Sequence, residues 1–240
     1  MKLDILAFGA HPDDVELGAG ATIAKEVASG KKVGIIDLTR GELGTRGTAE
    51  IRDKEASEAA KILGISVREN LEFADGFFVN DKAHQMGIIR MLRKYRPHIV
   101  ICNAVSDRHI DHGKGSNLVS DACFLSGLVK IETKLEGENQ WQKPWRPTQV
   151  YHYIQWKNLE PDFVVDVSGF IEKKKEAIMA YRSQFYDPSS DEPETPISSK
   201  NFIESVTYRA RDLGRMIGVE HAEGFTAERF VAVDSLARLM

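Results

Sequence analysis

The chain has 240 residues, 42% hydrophobic and 28% charged, with a formal net charge of −4. That length and balance exclude a disordered chain and fit a packed globular fold, expected as a single domain over residues 1–240. The weak negative charge leaves no electrostatic footprint for nucleic acid. No run approaches the roughly 18 apolar residues of a membrane span, and the opening Met1-Lys2-Leu3-Asp4-Ile5 lacks a signal-peptide core, so a cytoplasmic location is expected. Cys102 and Cys123 form no CxxC and sit in apolar surroundings, so they read as buried thiols.

Strand and helix patterns alternate in chain order. A buried strand is expected over 3–9, then a helix over 18–29 with Ile23, Ala24 and Val27 on one face and Gly30 as its stop. A second strand spans 32–38. The segment 48–63 is strongly helical, with Ile51, Ala56, Ala59 and Leu63 apolar and Gly64 ending it. A third strand is expected over 69–74, then a helix over 82–95 that stops before Pro97. A strand over 98–103 and a helix over 112–127 follow. Strands over 149–154 and 162–167, helices over 169–183 and 200–217, and a last strand over 228–234 complete the reading. This alternation implies an α/β fold, Rossmann-like, with a mostly parallel sheet and helices on both faces. Residues 133–147 and 187–200 break the pattern with Pro, Gly and Ser and read as loops; loops of that length also serve as lids or oligomer contacts.

The chemistry concentrates in two clusters. Ala10-His11-Pro12-Asp13-Asp14 follows the first strand, and His109-Ile110-Asp111-His112 follows the strand at 98–103. Open α/β sheets place their ligands at such C-terminal strand ends. If those two strands are neighbours, both clusters meet at the switch point. His and Asp together suit zinc, and three protein ligands leave an open position where zinc lowers the pKa of water to about 7. A carboxylate beside the metal can take a proton, and a further His can donate to the leaving group or the oxyanion. Asp111 lies between two histidines and is placed to orient one of them. Spacing alone leaves open which of Asp13 and Asp14 binds metal, and Asp13 could instead cap the following helix.

These residues, with Thr39-Arg40-Gly41-Glu42 and with Arg52 and Glu55 ahead of Leu63-Gly64, resemble the LmbE-like (PIG-L) family of zinc-dependent N-acetylglucosaminide deacetylases. The resemblance implies His11, Asp14 and His112 as ligands to Zn2+, with Fe2+ as the alternative metal. It implies Asp13 as general base, His109 as acid or oxyanion stabiliser, and Asp111 in the catalytic group. Arg52, with Arg40 and Glu42, is implied on the substrate. Val15 departs from the family, standing where an acidic residue often follows Asp-Asp. Within the family, Gly218-Val219-Glu220-His221-Ala222-Glu223-Gly224-Phe225 and Tyr181-Arg182-Ser183-Gln184-Phe185 look most like the bacillithiol-biosynthesis deacetylases. Those act on N-acetylglucosaminyl malate; relatives act on N-acetylglucosamine, chitobiose or an inositol conjugate. The partners implied are a small acetamido sugar and further copies of the chain, as a homo-oligomer such as a hexamer.

Three function classes compete. A nucleotide-dependent oxidoreductase would need GxGxxG, but Gly9-x8-Gly18-x-Gly20 does not match, and bulky His11-Pro12 fills the place of pyrophosphate approach. A non-catalytic sugar- or metal-binding module would lack part of the site. His152 reads as a satisfied half-buried residue, His221 as a candidate for lining the site, and Trp141, Trp145 and Trp156 as packing or interface residues.

Overall fold

The computed structural model describes residues 1–238. Its element order is β1 (Ile5–Gly9), α1 (Asp14–Ala28), β2 (Val33–Asp37), α2 (Ala49–Leu63), β3 (Val67–Asn70), α3 (Lys82–Tyr95), β4 (Ile99–Cys102), α4 (Ile110–Ser126), β5 (Gln149–Tyr153), β6 (Phe163–Asp166), α5 (Ile171–Met179), α6 (Lys200–Ile217) and β7 (Ala222–Ala227). The strands form one sheet in the order β3-β2-β1-β4-β5-β7-β6. The first five are parallel in that sheet, and β7 runs antiparallel to both β5 and β6. The fold is the mostly parallel α/β sheet expected from the alternation.

β1 is buried on both faces because it is central. Its Ile5 and Ala7 join one core with Val15, Ile23, Ala56 and Ile178. Its Leu6 and Phe8 join the other with Ile88, Leu92, Leu118 and Val119. The period of two thus sends α1, α2 and α5 to one face and α3 and α4 to the other. Helix ends follow local chemistry. The Thr48 and Ser199 side chains accept the N–H of Ile51 and Phe202, and Gly64 and Gly218 close α2 and α6 with φ of 72° and 75°.

Two expected strands lie elsewhere. β3 pairs from Gly34↔Val67 to Asp37↔Asn70, so it sits earlier than 69–74 and stops where β2 stops. The last strand is Ala222–Ala227, while 228–234 forms no element. Gly224 disguised it as a loop. A Cβ there would stand 3.2 Å from Ile154, Leu213 and Pro161, so the close approach of those neighbours selects glycine.

A buried ionic cluster ties β3, β2 and α1 together beneath the strand ends. Arg68 holds Asp37 with two bonds of 2.7 and 2.8 Å and donates to Glu16 at 2.5 Å, while the Tyr181 hydroxyl donates to Glu16 at 3.0 Å. The bidentate geometry suits the planar guanidinium.

On α1, Gly18 faces Tyr153 of β5. A Cβ at Gly18 would fall 2.1 Å from Tyr153 Cδ2. The ring has no room to retreat, since its hydroxyl donates to the Phe8 carbonyl at 2.9 Å. Gly18→Ala is therefore expected to destabilise the fold by about 2 kcal/mol, the range for overpacking a core. Urea unfolding checks this; an unchanged midpoint would mean that α1 can move off the sheet.

Candidate active site

β1 and β4 are neighbours, paired from Ile5↔Ile99 to Ala7↔Ile101. The segments that follow them carry the two motifs to one place, at the point where the chain turns to opposite sides of β1. Helix α1 starts at Asp14, and its N-cap Asp13 has φ 109° and ψ −25°. A non-glycine residue there costs on the order of 1–3 kcal/mol and is held by its surroundings. Asp13 makes no capping hydrogen bond. Its carboxylate faces Arg52 instead, 3.2 Å from Nη2. Arg52 also donates to the Pro12 and Gly41 carbonyls at 2.5 and 3.1 Å. Gly41 is glycine for this reason: its φ is 66°, and a Cβ would fall 1.8 Å from Arg52 Nη1.

Asp14 is the hub. Its Oδ1 lies 3.1 Å from His112 Nε2, and its Oδ2 lies 3.5 Å from His11 Nδ1. The outer nitrogens meet other carboxylates. His11 Nε2 is 3.1 Å from Asp75 Oδ1, and His112 Nδ1 is 2.6 Å from Asp107 Oδ2. Metal-binding histidines show this arrangement, one nitrogen inward and the other fixed by a carboxylate. The outer carboxylates are themselves held: Asp75 accepts the Leu43 N–H at 3.0 Å, and Asp107 accepts the Lys157 N–H at 2.8 Å. His109 completes the cluster, with candidate ligand atoms of His11, His109 and His112 all within 4.8 Å of one another. Two inward imidazole nitrogens around one carboxylate fit a divalent metal such as zinc. His11 with Asp75 and Asp111 forms a second such group, but its two acids are already bonded to backbone N–H groups.

The neighbouring aspartates differ in charge state. Burial pushes the Asp13 carboxyl up to about 7, against the pull of Arg52. Burial also opposes ionisation of Asp14, but His112 and His11 hold it well below the usual carboxylate range. Burial and the neighbouring imidazoles lower the pKa of His109. Its Nδ1 accepts the Asp111 N–H at 3.3 Å, so the proton of the neutral ring resides on Nε2.

Not every expected residue reaches the centre in its expected role. Asp111 faces His11, 3.6 Å from Nε2, rather than orienting His109 or His112, and its carboxylate takes the Gly76 N–H at 2.7 Å. Glu42 is exposed and accepts the Asp75 N–H at 2.9 Å, so it braces that loop. Arg40 turns away to Asp53 and Glu50. His221 is buried but does not line the cavity. Asp75, Asp107, Asn103 and Gln155 join the site without having been expected there. Asp107 was visible as the first acid of Asp107-x-His109-x-Asp111-His112, and Asn103 and Gln155 each stand just past a strand end.

The centre opens into a cavity of about 1200 Å³. Its walls include Arg108, Trp156, Thr195 to Ile197, and Phe202 and Arg209 of α6. Thus part of the 187–200 loop borders the site. The 133–147 loop does not; it is fixed to the far side by Trp145 Nε1 on the Pro97 carbonyl at 2.7 Å.

The class defined by fold and site is an α/β enzyme with a His–Asp centre at the switch point of a parallel sheet. Comparison makes this more specific. Residues 6–123 match the family model "PIG-L: GlcNAc-PI de-N-acetylase". A diacetylchitobiose deacetylase of Thermococcus kodakarensis is 30% identical over 193 residues, 75% of this chain and 70% of that protein. The crystal structure of the conserved protein TT1542 from Thermus thermophilus superposes with a TM-score of 0.85 at 37% identity, covering 99% of this chain and 100% of that one. The N,N'-diacetylchitobiose deacetylase of Pyrococcus horikoshii, solved with an inhibitor, superposes with a TM-score of 0.79 at 25% identity over 93% and 82% of the two chains. The chain belongs to the PIG-L (LmbE-like) family and is an enzyme of the deacetylase type. No helix among the described residues is long and apolar enough to cross a membrane.

Behind the centre, His152 bonds Ser116 at 2.8 Å and Glu228 at 3.2 Å, satisfied as expected but buried rather than half-buried. Burial opposes ionisation of Glu228, but His152 and Ser120 hold its carboxyl below the usual value. A lowered folded pKa stabilises the fold above the unfolded glutamate pKa, and that gain is lost as pH falls through the folded one. Glu228→Gln is therefore expected to lose stability at pH 7 and to converge on the parent protein as pH falls below the ordinary glutamate range. Denaturant melts across pH check this; a gap constant with pH would show that the contact is not ionic.

Proposed function

We propose that the enzyme hydrolyses the acetamide of an N-acetylglucosamine conjugate, with N-acetylglucosaminyl malate, the bacillithiol precursor, as its substrate. The observation that carries the reading is the pairing of Asp14, ionised between two inward imidazoles, with Asp13, whose burial leaves it near neutrality. His11, Asp14 and His112 would hold Zn2+ or Fe2+. Bound there, the metal would act as a Lewis acid and lower the pKa of water. Asp13 takes a proton from the attacking water and returns it to the amine nitrogen as the C–N bond breaks. A carboxyl group with a pKa near 7 suits both transfers. His109 Nε2–H donates to the carbonyl oxygen as it gains charge. Arg52 keeps the Asp13 carboxylate in place, and Asp111 faces the outer nitrogen of His11.

The malate assignment draws on the cavity and on the resemblance in the C-terminal motifs. Arg52, at first sight the partner for malate, is buried and occupied by Asp13 and two carbonyls. Arg108 and Arg209 instead line the cavity; among the described residues neither has a carboxylate within ion-pair distance, although Asp107 acts on Arg209 from further away. Arg108 lies over the Trp156 ring, 4.6 Å from its centroid, and Arg209 donates to the Trp156 carbonyl at 2.7 Å. Both suit carboxylate recognition. Free N-acetylglucosamine and chitobiose are the alternatives, and neither would use these cations as anion partners. A cytoplasmic homo-oligomer, a hexamer by family resemblance, completes the reading; exposed Leu43 and Ile110 on the cavity wall are in keeping with assembly.

Asp13→Asn should keep its metal, measured by elemental analysis, while kcat falls by about 10² or more. Loss of metal together with turnover would exchange the roles of the two aspartates.

For the substrate, kcat/KM is compared on N-acetylglucosaminyl malate and free N-acetylglucosamine. Arg209→Ala and Arg108→Ala should cost the conjugate about 2 kcal/mol and the free sugar little, as for loss of a charged hydrogen bond. Arg52→Ala should harm both alike. A parent enzyme indifferent to malate would remove the malate assignment and leave the deacetylase chemistry standing.

A further inference from the structure

Two buried amides stand beside Asp14 that the chemistry above does not use. Asn103 follows β4 and is fully buried; Gln155 follows β5 and is 6% exposed. Asn103 Nδ2 donates to Asp14 Oδ2 at 2.9 Å and to Gln155 Oε1 at 2.9 Å. Gln155 Nε2 donates to Asp14 Oδ1 at 2.8 Å. The Ala10 N–H donates to Asn103 Oδ1 at 2.8 Å.

We propose that Asn103 and Gln155 form a one-way amide relay that positions Asp14 to coordinate metal through Oδ1 alone. The direction of the relay starts at the backbone. The Ala10 N–H can only donate, so the oxygen of Asn103 must face it, and the NH2 must face Asp14 and Gln155. That donation requires the oxygen of Gln155, which leaves its NH2 for Asp14. Turning either amide over would set donor against donor. The lone pairs of Asp14 are then allotted. Oδ2 accepts two N–H groups, one from Asn103 and one from the His11 backbone at 2.9 Å. Oδ1 accepts only Gln155 among the amides and keeps one direction toward His112 Nε2. A carboxylate has about four acceptor sites, and three are filled by fixed donors. The relay thus holds the carboxylate plane, because every filled site receives an N–H from a fixed donor. Both amides act through the Asp14 carboxylate they donate to, so both are positioning residues. The inference rests on the reading of His11, Asp14 and His112 as the metal ligands.

The test is a zinc competition titration against a chromophoric chelator, with far-UV circular dichroism and melting to confirm the fold. The variants are Asn103→Ala, Gln155→Ala, Gln155→Glu and the double alanine, with Cys123→Ala as a core control outside the site. Each relay variant should weaken zinc binding by about 10- to 100-fold, as losses of outer hydrogen bonds to metal ligands do. Asn103→Ala should cost more than Gln155→Ala, because it removes one donor and releases the other. The double variant should match Asn103→Ala. Gln155→Glu, nearly isosteric, should bind worse than Gln155→Ala because it turns an acceptor toward Asp14, and it tests the relay even if Asn103→Ala fails to fold. Cys123→Ala should change melting without changing affinity. Parent-like affinity in folded relay variants would overturn the proposal, as would additive losses in the double variant, which would show two independent donors. A parent protein that binds no zinc at His11, Asp14 and His112 would overturn the metal reading itself.

Discussion

The site depends on one buried carboxylate. Asp14 sits at the first turn of α1 and collects hydrogen bonds from the His11 backbone, Asn103 and Gln155, with an imidazole nitrogen on either side. A buried charge is costly unless paired and fully bonded, so an ionised Asp14 requires all of these partners at once. They come from three strands. His11 follows β1, Asn103 and His112 follow β4, and Gln155 follows β5. The adjacency of those strands is therefore a requirement of the chemistry as well as of the fold.

Asp13 shows how little separates two roles. It adjoins Asp14 in the chain, yet its left-handed backbone turns its side chain to Arg52 instead. One aspartate is surrounded by imidazoles and amides and stays ionised; the other has a single cation and is pushed toward neutrality by burial. In the proposed mechanism, environments that push two titratable groups apart are what distinguish base from ligand. The backbone strain at Asp13 is held by Arg52, which also clasps the loops at Pro12 and Gly41.

Much of this was legible in the sequence for physical reasons. α3 and α6 match their expected spans because capping groups and stops bound their apolar periods. The two histidine motifs announced a shared centre because each follows an apolar run, and the pairing of β1 with β4 brings them together. β7 was hidden because packing put glycine at 224 and Glu223 was drawn inward, where it meets Lys174 at 2.6 Å. Asp75 was hidden because its role depends on loop conformation, which carries no period, whereas Asp107 lay in view beside the second histidine motif. Arg52 and Arg40 were both expected on the substrate, Arg52 foremost, yet Arg52 is buried on Asp13 and Arg40 turns to Asp53.

Crystals grown with zinc, with diffraction data collected on both sides of the zinc absorption edge, would test the central claim most directly. The account predicts one anomalous peak per chain, about 2.0–2.2 Å from His11 Nδ1, Asp14 Oδ1 and His112 Nε2. A peak between His11, Asp75 and Asp111 instead, or no peak in the cluster, would contradict it.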